Sequence, residues 1–181
     1  AEAFATLRNA VLLHDGAADS RVLLITSAQS EEGKTTVSVN LALSLARLEY
    51  RVLLVDANMR FPCIRRALGL PDGPGLVDYL DARVDWRAAV QAGVQPNLDV
   101  LGGGEPEKSP ADLLSRPRMG DLLETAAREY DFVVIDSPAV LTHPADVHSL
   151  AAVADNVLFT VRHGWTPREV VALALSRLDR V

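Results

Sequence analysis

Residues 22–36 read VLLITSAQSEEGKTT, and this stretch decides the fold of the chain. The run of Val, Leu and Ile predicts a buried strand at Val22–Thr26, and helical spacing of apolar residues begins at Thr36. Between them lies a loop that ends in Gly33, Lys34 and Thr35. A strand, a loop ending in Gly-Lys-Thr and a helix form the context of a phosphate-binding P-loop.

This loop has the groups needed to bind the phosphates of ATP together with Mg²⁺. Its backbone N–H groups and the positive end of the following helix can hold anionic oxygens. Lys34 adds a positive charge, the Thr35 hydroxyl can reach Mg²⁺, and Thr36 is placed for the α-phosphate. The nucleotide contacts predicted in the loop are Ser30, Glu31, Glu32, Gly33, Lys34, Thr35 and Thr36.

The loop also departs from the common Gly-x-x-x-x-Gly-Lys-Ser/Thr pattern. Ala28 stands at the position of the first glycine, and Glu31 brings a negative charge that must point away from phosphate. Glu31 is also unfavourable wherever the loop needs a positive φ. An ordinary β–α turn with a surface lysine is therefore the alternative interpretation of this stretch.

Two further apolar runs end in an aspartate, Val52–Asp56 and Phe132–Asp136. In a parallel sheet both carboxylates lie at the same edge as the P-loop, where they can bind Mg²⁺ directly or through water. We predict Thr35, Asp56 and Asp136 as the Mg²⁺ ligands, and Lys34, Asp56 and Asp136 as the catalytic residues. Asp56 either orients a Mg²⁺-bound water or accepts the proton of the acceptor hydroxyl, and the sequence leaves both roles open. A helix cap or turn is the ordinary role of a lone aspartate at a strand end.

The remaining sequence alternates between strand-like and helix-like segments. Strands are predicted additionally at Leu98–Leu101 and Val157–Val161, and helices at Thr36–Leu48, Met119–Arg128, Pro144–Ala152 and Pro167–Leu178. The alternation predicts one α/β domain over residues 1–181, a doubly wound, mostly parallel sheet with helices on both faces, belonging to the P-loop NTPases. Residues 1–15 are predicted to form an N-terminal helix, and residues 61–96 an irregular crossover with short helical pieces. Gly102–Gly104 is predicted to be a flexible strand end near the site, with a plain loop as the alternative.

Composition limits the partners of the chain. The 181 residues carry a formal net charge of −6, which gives no basic footprint for duplex nucleic acid. No apolar run approaches the length of a transmembrane helix, and the single cysteine, Cys63, cannot form an internal disulfide.

A small basic group follows the second strand and consists of Arg60, Arg65 and Arg66. It is suited either to an acidic peptide or phosphate or to a solvated loop. Arg162 follows the last strand and is predicted as a neighbour of the nucleotide.

Several motifs outside the P-loop occur in the order seen in one family. They include Glu2 to Arg8, Asp56 to Pro62, Gly75 to Leu80, Leu101 to Gly104, Ser109 to Leu114, Tyr130 to Pro138, Asp146, and Val161 to Thr166. With the P-loop, these motifs resemble the bacterial protein-tyrosine kinases of capsule and exopolysaccharide synthesis, which are relatives of the deviant-Walker partition and cell-division ATPases. The resemblance extends over nearly the whole chain.

The resemblance implies an ATP- and Mg²⁺-dependent domain that phosphorylates tyrosines in the tail of a neighbouring copy. It implies a homo-oligomer, ring-type in the family, formed through the N-terminal helix with Glu2 and Arg8, although Ala5 replaces the middle arginine of that motif. It also implies a fused or separate membrane co-polymerase or activator, and hence a position in the cytoplasm at the inner face of the bacterial plasma membrane. Tyr50, Tyr79 and Tyr130 lie within or beside predicted elements, so we expect the tyrosine-rich tail to lie outside this sequence or on another chain.

Two other functions stay open at this point. A partition-type switch would hydrolyse ATP slowly and regulate assembly without modifying protein. A degenerate nucleotide-binding scaffold would explain the departures at Ala5, Ala28, Glu31 and Asn58. Asn58 stands where the family often has a second aspartate, and an asparagine cannot accept a proton.

Overall fold

The computed structural model describes residues 2–13 and 21–179, so residues 1, 14 and 15 of the predicted N-terminal helix lie outside it. The strands are β1 (Val22–Ser27), β2 (Val52–Asp56), β3 (Val90–Gln95), β4 (Leu98–Leu101), β5 (Phe132–Asp136) and β6 (Asn156–Thr160). The helices are α1 (Glu2–Leu13), α2 (Lys34–Ala46), α3 (Ile64–Leu68), α4 (Leu76–Leu80), α5 (Trp86–Ala89), α6 (Pro110–Leu114), α7 (Pro117–Glu129), α8 (Pro144–Ala151) and α9 (Arg168–Leu178).

The strands form one sheet in the order β3-β4-β2-β5-β1-β6. All neighbouring strands run parallel except β3 and β4, which are antiparallel. The predicted doubly wound, mostly parallel sheet is therefore confirmed. Because β1, β2 and β5 are neighbours, the P-loop and both strand-end aspartates lie at one edge of the sheet, where such folds bind ligands.

Helices cover the sheet on both faces, and each face has its own apolar core. On one face α2 buries Leu41 and Leu45 against Leu23 and Leu54 of the strands, and α1 packs on the outside of α2. The other core joins the opposite side of the strands to α4, α6, α7, α8 and α9. Central strands with two buried faces need a continuous apolar sequence, which is why β2 and β5 could be recognised.

The crossover at residues 61–96 has the short helical pieces predicted for it and, in addition, a strand that was not predicted. It contains three short helices, α3 to α5, and the edge strand β3. This strand reads VQAGVQ and is only partly buried, and its pairing with β4 is irregular between Gln91 and Gln95. A half-exposed strand containing Gly93 lacks the apolar run that reveals a central strand, so no pattern in this stretch predicted β3.

The predicted flexible end at Gly102–Gly104 is wrong, because these glycines are tightly packed. A Cβ on Gly102 would lie 2.4 Å from Arg65 Nε, and one on Gly103 would lie 2.8 Å from Pro62 Cβ. Gly75 approaches the same backbone from the other side, where its Cβ would lie 2.2 Å from Gly104 N. These glycines therefore allow close approach of segments rather than movement.

Among residues 2–13 and 21–179, no helix is long and apolar enough to cross a membrane.

Candidate nucleotide-binding site

The P-loop closes with two residues in left-handed backbone conformations. Gly33 has φ 85°, and Glu31 has φ 64°, a conformation that costs energy for a residue with a side chain. Helix α2 begins directly after Gly33, at Lys34, so its free N–H groups point into the loop. The loop therefore presents the N-terminus of a 13-residue helix to an anion.

Lys34 is largely buried and is hydrogen-bonded within its own loop. Its ammonium group donates to Ser27 Oγ at 3.0 Å and to the Gln29 carbonyl at 3.3 Å. Burial lowers the pKa of Lys34, although the neighbouring carboxylates of Asp136 and Glu32 oppose this effect. These contacts hold the charge beside the loop, within reach of a phosphate bound there.

Asp136 is completely buried and is held by two hydroxyl groups of α2. Thr35 Oγ1 donates to Asp136 Oδ2 at 2.6 Å, and Ser38 Oγ donates to Oδ1 at 2.9 Å. Burial raises the pKa of Asp136 to about 6, and these hydrogen bonds, together with Lys34, limit the rise. The predicted Mg²⁺ ligands Thr35 and Asp136 are thus already in contact with each other.

Asp56 lies directly opposite Asp136 in the register of neighbouring strands. Its Oδ2 atom accepts hydrogen bonds from the backbone N–H groups of Cys63 (2.7 Å) and Ile64 (2.9 Å), so the carboxylate also caps helix α3. Burial raises the pKa of Asp56 to about 7, and the charge of Asp136 adds to the rise, against the lowering effect of the backbone donors. The structure thus shows Asp56 binding the N-terminal N–H groups of α3, and its role as a Mg²⁺ ligand or a base stays a prediction.

An open cavity of about 520 Å³ lies beside Lys34 and Thr35, and Asp56 and Asp136 are not among the residues that line it. From the P-loop it is lined by Ser30, Glu31, Gly33, Lys34, Thr35 and Thr36. From the opposite side it is lined by Asn58, Phe61, Cys63, Arg66, Pro138, Ala139, Thr142 and His143. Six of the seven loop residues predicted to contact nucleotide thus face one cavity, and Glu32 is the exception.

Glu32 points away from the cavity and is almost completely buried. Burial would raise the pKa of its carboxyl, but hydrogen bonds from the Thr166 side chain and the backbone of Gln29 and Arg162 outweigh burial and lower it. Arg162 lies outside the P-loop, with its guanidinium 4.6 Å above the ring of Trp165 and 3.5 Å from the Glu31 carbonyl. Its proximity to nucleotide stays a prediction.

The three arginines expected to form a basic group after β2 each make different tertiary contacts. Arg60 makes a two-point ion pair with buried Asp146 of α8, at 3.0 and 3.3 Å. Arg65 is buried and donates to backbone carbonyls, among them Pro74 at 2.6 Å. Arg66 is exposed and lines the cavity. Of the three guanidinium groups, Arg66 alone faces the predicted nucleotide.

Sequence reasoning missed two residues in contact with this site. Ser38 lies one helical turn after Lys34, a spacing that placed it on the same side of α2 as the loop. Cys63 is half-buried, and its Sγ atom lies 3.4 Å from Thr35 Oγ1. No signal in the local sequence connects Cys63 with the P-loop, because the two are 28 residues apart.

Within residues 2–13 and 21–179, no cluster of three or more His, Cys, Asp and Glu side chains could hold a metal. A magnesium–nucleotide site does not require one. Mg²⁺ keeps several waters and is typically bound by one or two carboxylates plus the phosphates of its substrate. Thr35, Asp56 and Asp136 match that donor set.

This fold and site define a P-loop nucleotide-binding domain, and residues 23–172 match the CobQ/CobB/MinD/ParA nucleotide-binding domain family. Within that class, the chain belongs to the bacterial tyrosine-protein kinases. It is 35% identical to the tyrosine-protein kinase YwqD of Bacillus subtilis (strain 168), over 98% of this chain and 74% of the relative. The kinase domain of the Escherichia coli tyrosine kinase ETK has the same fold, with 30% identity, a TM-score of 0.94, and coverage of 99% of this chain and 70% of that one.

Other relatives are much longer than this chain. The succinoglycan biosynthesis transport protein ExoP of Rhizobium meliloti (strain 1021) is 35% identical over 92% of this chain, which spans only 22% of ExoP. The family membership predicted from the motifs is therefore confirmed, and the matched region corresponds to one part of these longer proteins.

Proposed function

We propose that this chain binds Mg²⁺–ATP in the cavity beside the P-loop and transfers the γ-phosphoryl group to tyrosine hydroxyls. The observation that carries this proposal is the pairing of Asp56 with Asp136 on neighbouring strands, next to the Thr35 hydroxyl and the P-loop. A family of tyrosine-protein kinases supplies the reaction type. This arrangement supplies the positioned charges that phosphoryl transfer requires.

The residues of this chain divide the work of the reaction. Backbone N–H groups of the loop and Lys34 would hold the β- and γ-phosphates, while Thr35 and Asp136 would hold Mg²⁺. Bound Mg²⁺ would neutralise charge on the transferring phosphoryl group. The tyrosine oxygen then bonds to the γ-phosphorus, the bond to the ADP oxygen breaks, and the tyrosine proton must be accepted.

Asp56 is the carboxylate that we assign to this proton. Its raised pKa of about 7 is matched to accepting a proton near neutral pH, which favours general-base catalysis. Asn58 lines the cavity beside the P-loop, and its backbone N–H donates to Asp56 Oδ1 at 3.3 Å. A second carboxylate at position 58 is therefore not needed to complete a base in this chain.

We also infer that α1 contributes to self-association. The helix has no fully buried residue, and Glu2 is exposed. Arg8 is turned inward, where its guanidinium donates to Ser44 Oγ of α2 at 3.2 Å. Arg8 therefore fixes the orientation of α1, and Glu2 is left to contact a neighbouring copy.

The proposal also includes two further partners. The acceptor is a tyrosine-rich tail, and the other partner is a membrane co-polymerase or activator at the inner face of the plasma membrane.

The decisive experiment measures phosphotyrosine and free phosphate in parallel, with Mg²⁺–ATP and a tyrosine-rich peptide. We expect labelled peptide from the wild type and at least a hundredfold less from Lys34→Met and Asp56→Asn, in line with the loss of one key catalytic group. Phosphate release that depends on Lys34 without tyrosine labelling would instead identify a nucleotide switch. Absence of ATP binding would identify a scaffold.

The contact through α1 is tested separately by light scattering. A Glu2→Lys variant with the same mass as the wild type would contradict this contact.

A further inference from the structure

Glu32 combines burial with a position where a negative charge is unfavourable. It precedes the Gly-Lys-Thr of the P-loop, yet only 6% of its surface is exposed. Its side chain is absent from the lining of the cavity, to which its neighbours Glu31 and Gly33 contribute. A buried carboxylate close to a phosphate site repels the ligand through space, so its own contacts must compensate for that cost.

The carboxylate of Glu32 is saturated with donors from both sides. Oε2 accepts the Gln29 N–H at 2.6 Å, within the P-loop itself. Oε1 accepts the Thr166 hydroxyl and, at 3.5 Å, the Arg162 N–H. Thr166 and Arg162 belong to the connection between β6 and α9, more than 125 residues away along the chain. One side chain thus joins two loops at the carboxyl edge of the sheet.

A second contact joins the same two loops. The Arg162 guanidinium lies 3.5 Å from the Glu31 carbonyl and stacks over Trp165 of its own connection. Glu31 is the loop residue with a left-handed backbone, so the strained part of the P-loop is supported from outside by this connection. The P-loop therefore depends for its shape on residues 162–166 as well as on its own sequence.

We propose that Glu32 is a positioning residue for ATP, which holds the P-loop in its phosphate-binding shape and ties it to the connection at residues 162–166. The inference rests on the proposed function, because it assumes that the P-loop binds the phosphates of ATP. Glu32 acts through the loop and does not touch the nucleotide.

Two matched variants separate this role from a simple effect of charge. Glu32→Gln and Glu31→Gln each remove one negative charge from adjacent positions of the loop. Electrostatics alone predicts tighter Mg²⁺–ATP binding in both variants. If the tie, meaning the hydrogen bonds of Glu32 to Gln29, Thr166 and Arg162, holds the loop in shape, Glu32→Gln should bind Mg²⁺–ATP about tenfold more weakly. The amide has one acceptor oxygen, and its N–H donors would face other donors. Glu31→Gln, whose exposed side chain lines the cavity and makes no contact with residues 162–166 through its carboxylate, should bind Mg²⁺–ATP more tightly than the wild type.

A double-mutant cycle tests whether Thr166 is the other end of the tie. Thr166→Val should weaken binding in the same direction, and Glu32→Gln combined with Thr166→Val should be no weaker than Glu32→Gln alone. Dissociation constants for Mg²⁺–ATP would come from titration calorimetry. Thermal unfolding of each variant would show whether the fold is retained.

Hydrogen exchange of the nucleotide-free protein gives an independent readout. The Gln29 amide should exchange faster in Glu32→Gln than in the wild type, and at the wild-type rate in Glu31→Gln. A wild type that does not bind Mg²⁺–ATP would remove the proposed function, and the exchange of Gln29 would still decide whether the tie exists. Equal or tighter ATP binding by Glu32→Gln, or unchanged exchange of Gln29, would overturn the proposal.

Discussion

The two aspartates at the strand ends are buried carboxylates, and burial raises the pKa of both. Between about pH 4 and pH 7, folded Asp56 retains a proton that the unfolded chain has released. The free energy of unfolding contributed by this group is therefore highest below pH 4 and falls as pH rises towards 7. The buried carboxylate thus lowers stability at the position where the proposed Mg²⁺ would bind.

Asp56→Asn should therefore stabilise the nucleotide-free protein in a pH-dependent manner. With EDTA present, we expect its Tm to exceed that of the wild type by at least about 5 °C at pH 8, and the two to converge near pH 4.5. An asparagine oxygen can still accept the backbone donors that cap α3, so the fold is kept. Calorimetry across this pH range gives the comparison.

Asp131→Asn is the control with the opposite sign. The Arg51 side chain lowers the pKa of Asp131 by hydrogen bonding, so Asp131 contributes stability that is present near neutral pH and lost in acid. Both partners are substantially exposed, so the effect should be small. An Asp56→Asn variant with a lower Tm than the wild type at pH 8 would contradict the burial argument.

The ion pair between Arg60 and Asp146 connects the segment after β2 with helix α8. Arg60→Ala should lower the free energy of unfolding by about 3–5 kcal/mol, because it leaves the buried Asp146 carboxylate without its partner. Arg51→Ala removes the exposed pair with Asp131 and should lower the free energy of unfolding far less, because solvent screens this pair. Urea unfolding of both variants tests the difference, and equal losses would show that burial does not control the strength of these pairs.

The close contact between Gly75 and Gly102–Gly104, like the ion pair between Arg60 and Asp146, connects different elements of the fold. Gly75→Ala should lower the free energy of unfolding by about 3 kcal/mol, because its Cβ would collide with backbone atoms of both Gly102 and Gly104. Gly73→Ala provides the matched control, since the nearest atom to its Cβ would be Arg65 Nη1 at 3.9 Å. Comparable unfolding midpoints in urea for the two variants would contradict this packing argument.

How much could be predicted at this scale depended on where each signal resides. Phe132–Asp136 is apolar throughout and ends in an acid, so its sequence alone specified a central strand with a carboxylate at its end. The fate of Arg60 depended on Asp146, 86 residues away, and the packing of Gly102 depended on the Arg65 side chain. Local sequence carries no information about such partners, and for that reason neither the ion pair of Arg60 nor the close packing of Gly102 was predicted.

Across the molecule, stability should be unevenly distributed. Strands β1, β2 and β5 are buried on both faces, whereas α1 rests on α2 through partly buried residues such as Leu7 and Val11. Amides of α1 should therefore exchange with solvent at least a hundredfold faster than those of the central strands, reflecting local opening. Hydrogen exchange measured by mass spectrometry can check this order, and similar protection of α1 and β2 would contradict it.

The buried guanidinium of Arg65 has a consequence for how the sequence can drift. It donates to the carbonyls of Gly73 and Pro74 and to Gln91 Oε1, and its stem lies against Gly102. The Arg65 guanidinium thus holds several segments of the chain together by side-chain hydrogen bonds, in place of regular backbone hydrogen bonding between them. In a library of random variants, neighbours such as Ala67 and Asp72 could change freely, while nearly every replacement at position 65 would be purged. The structure of this region would therefore tolerate changes at many positions but not at position 65.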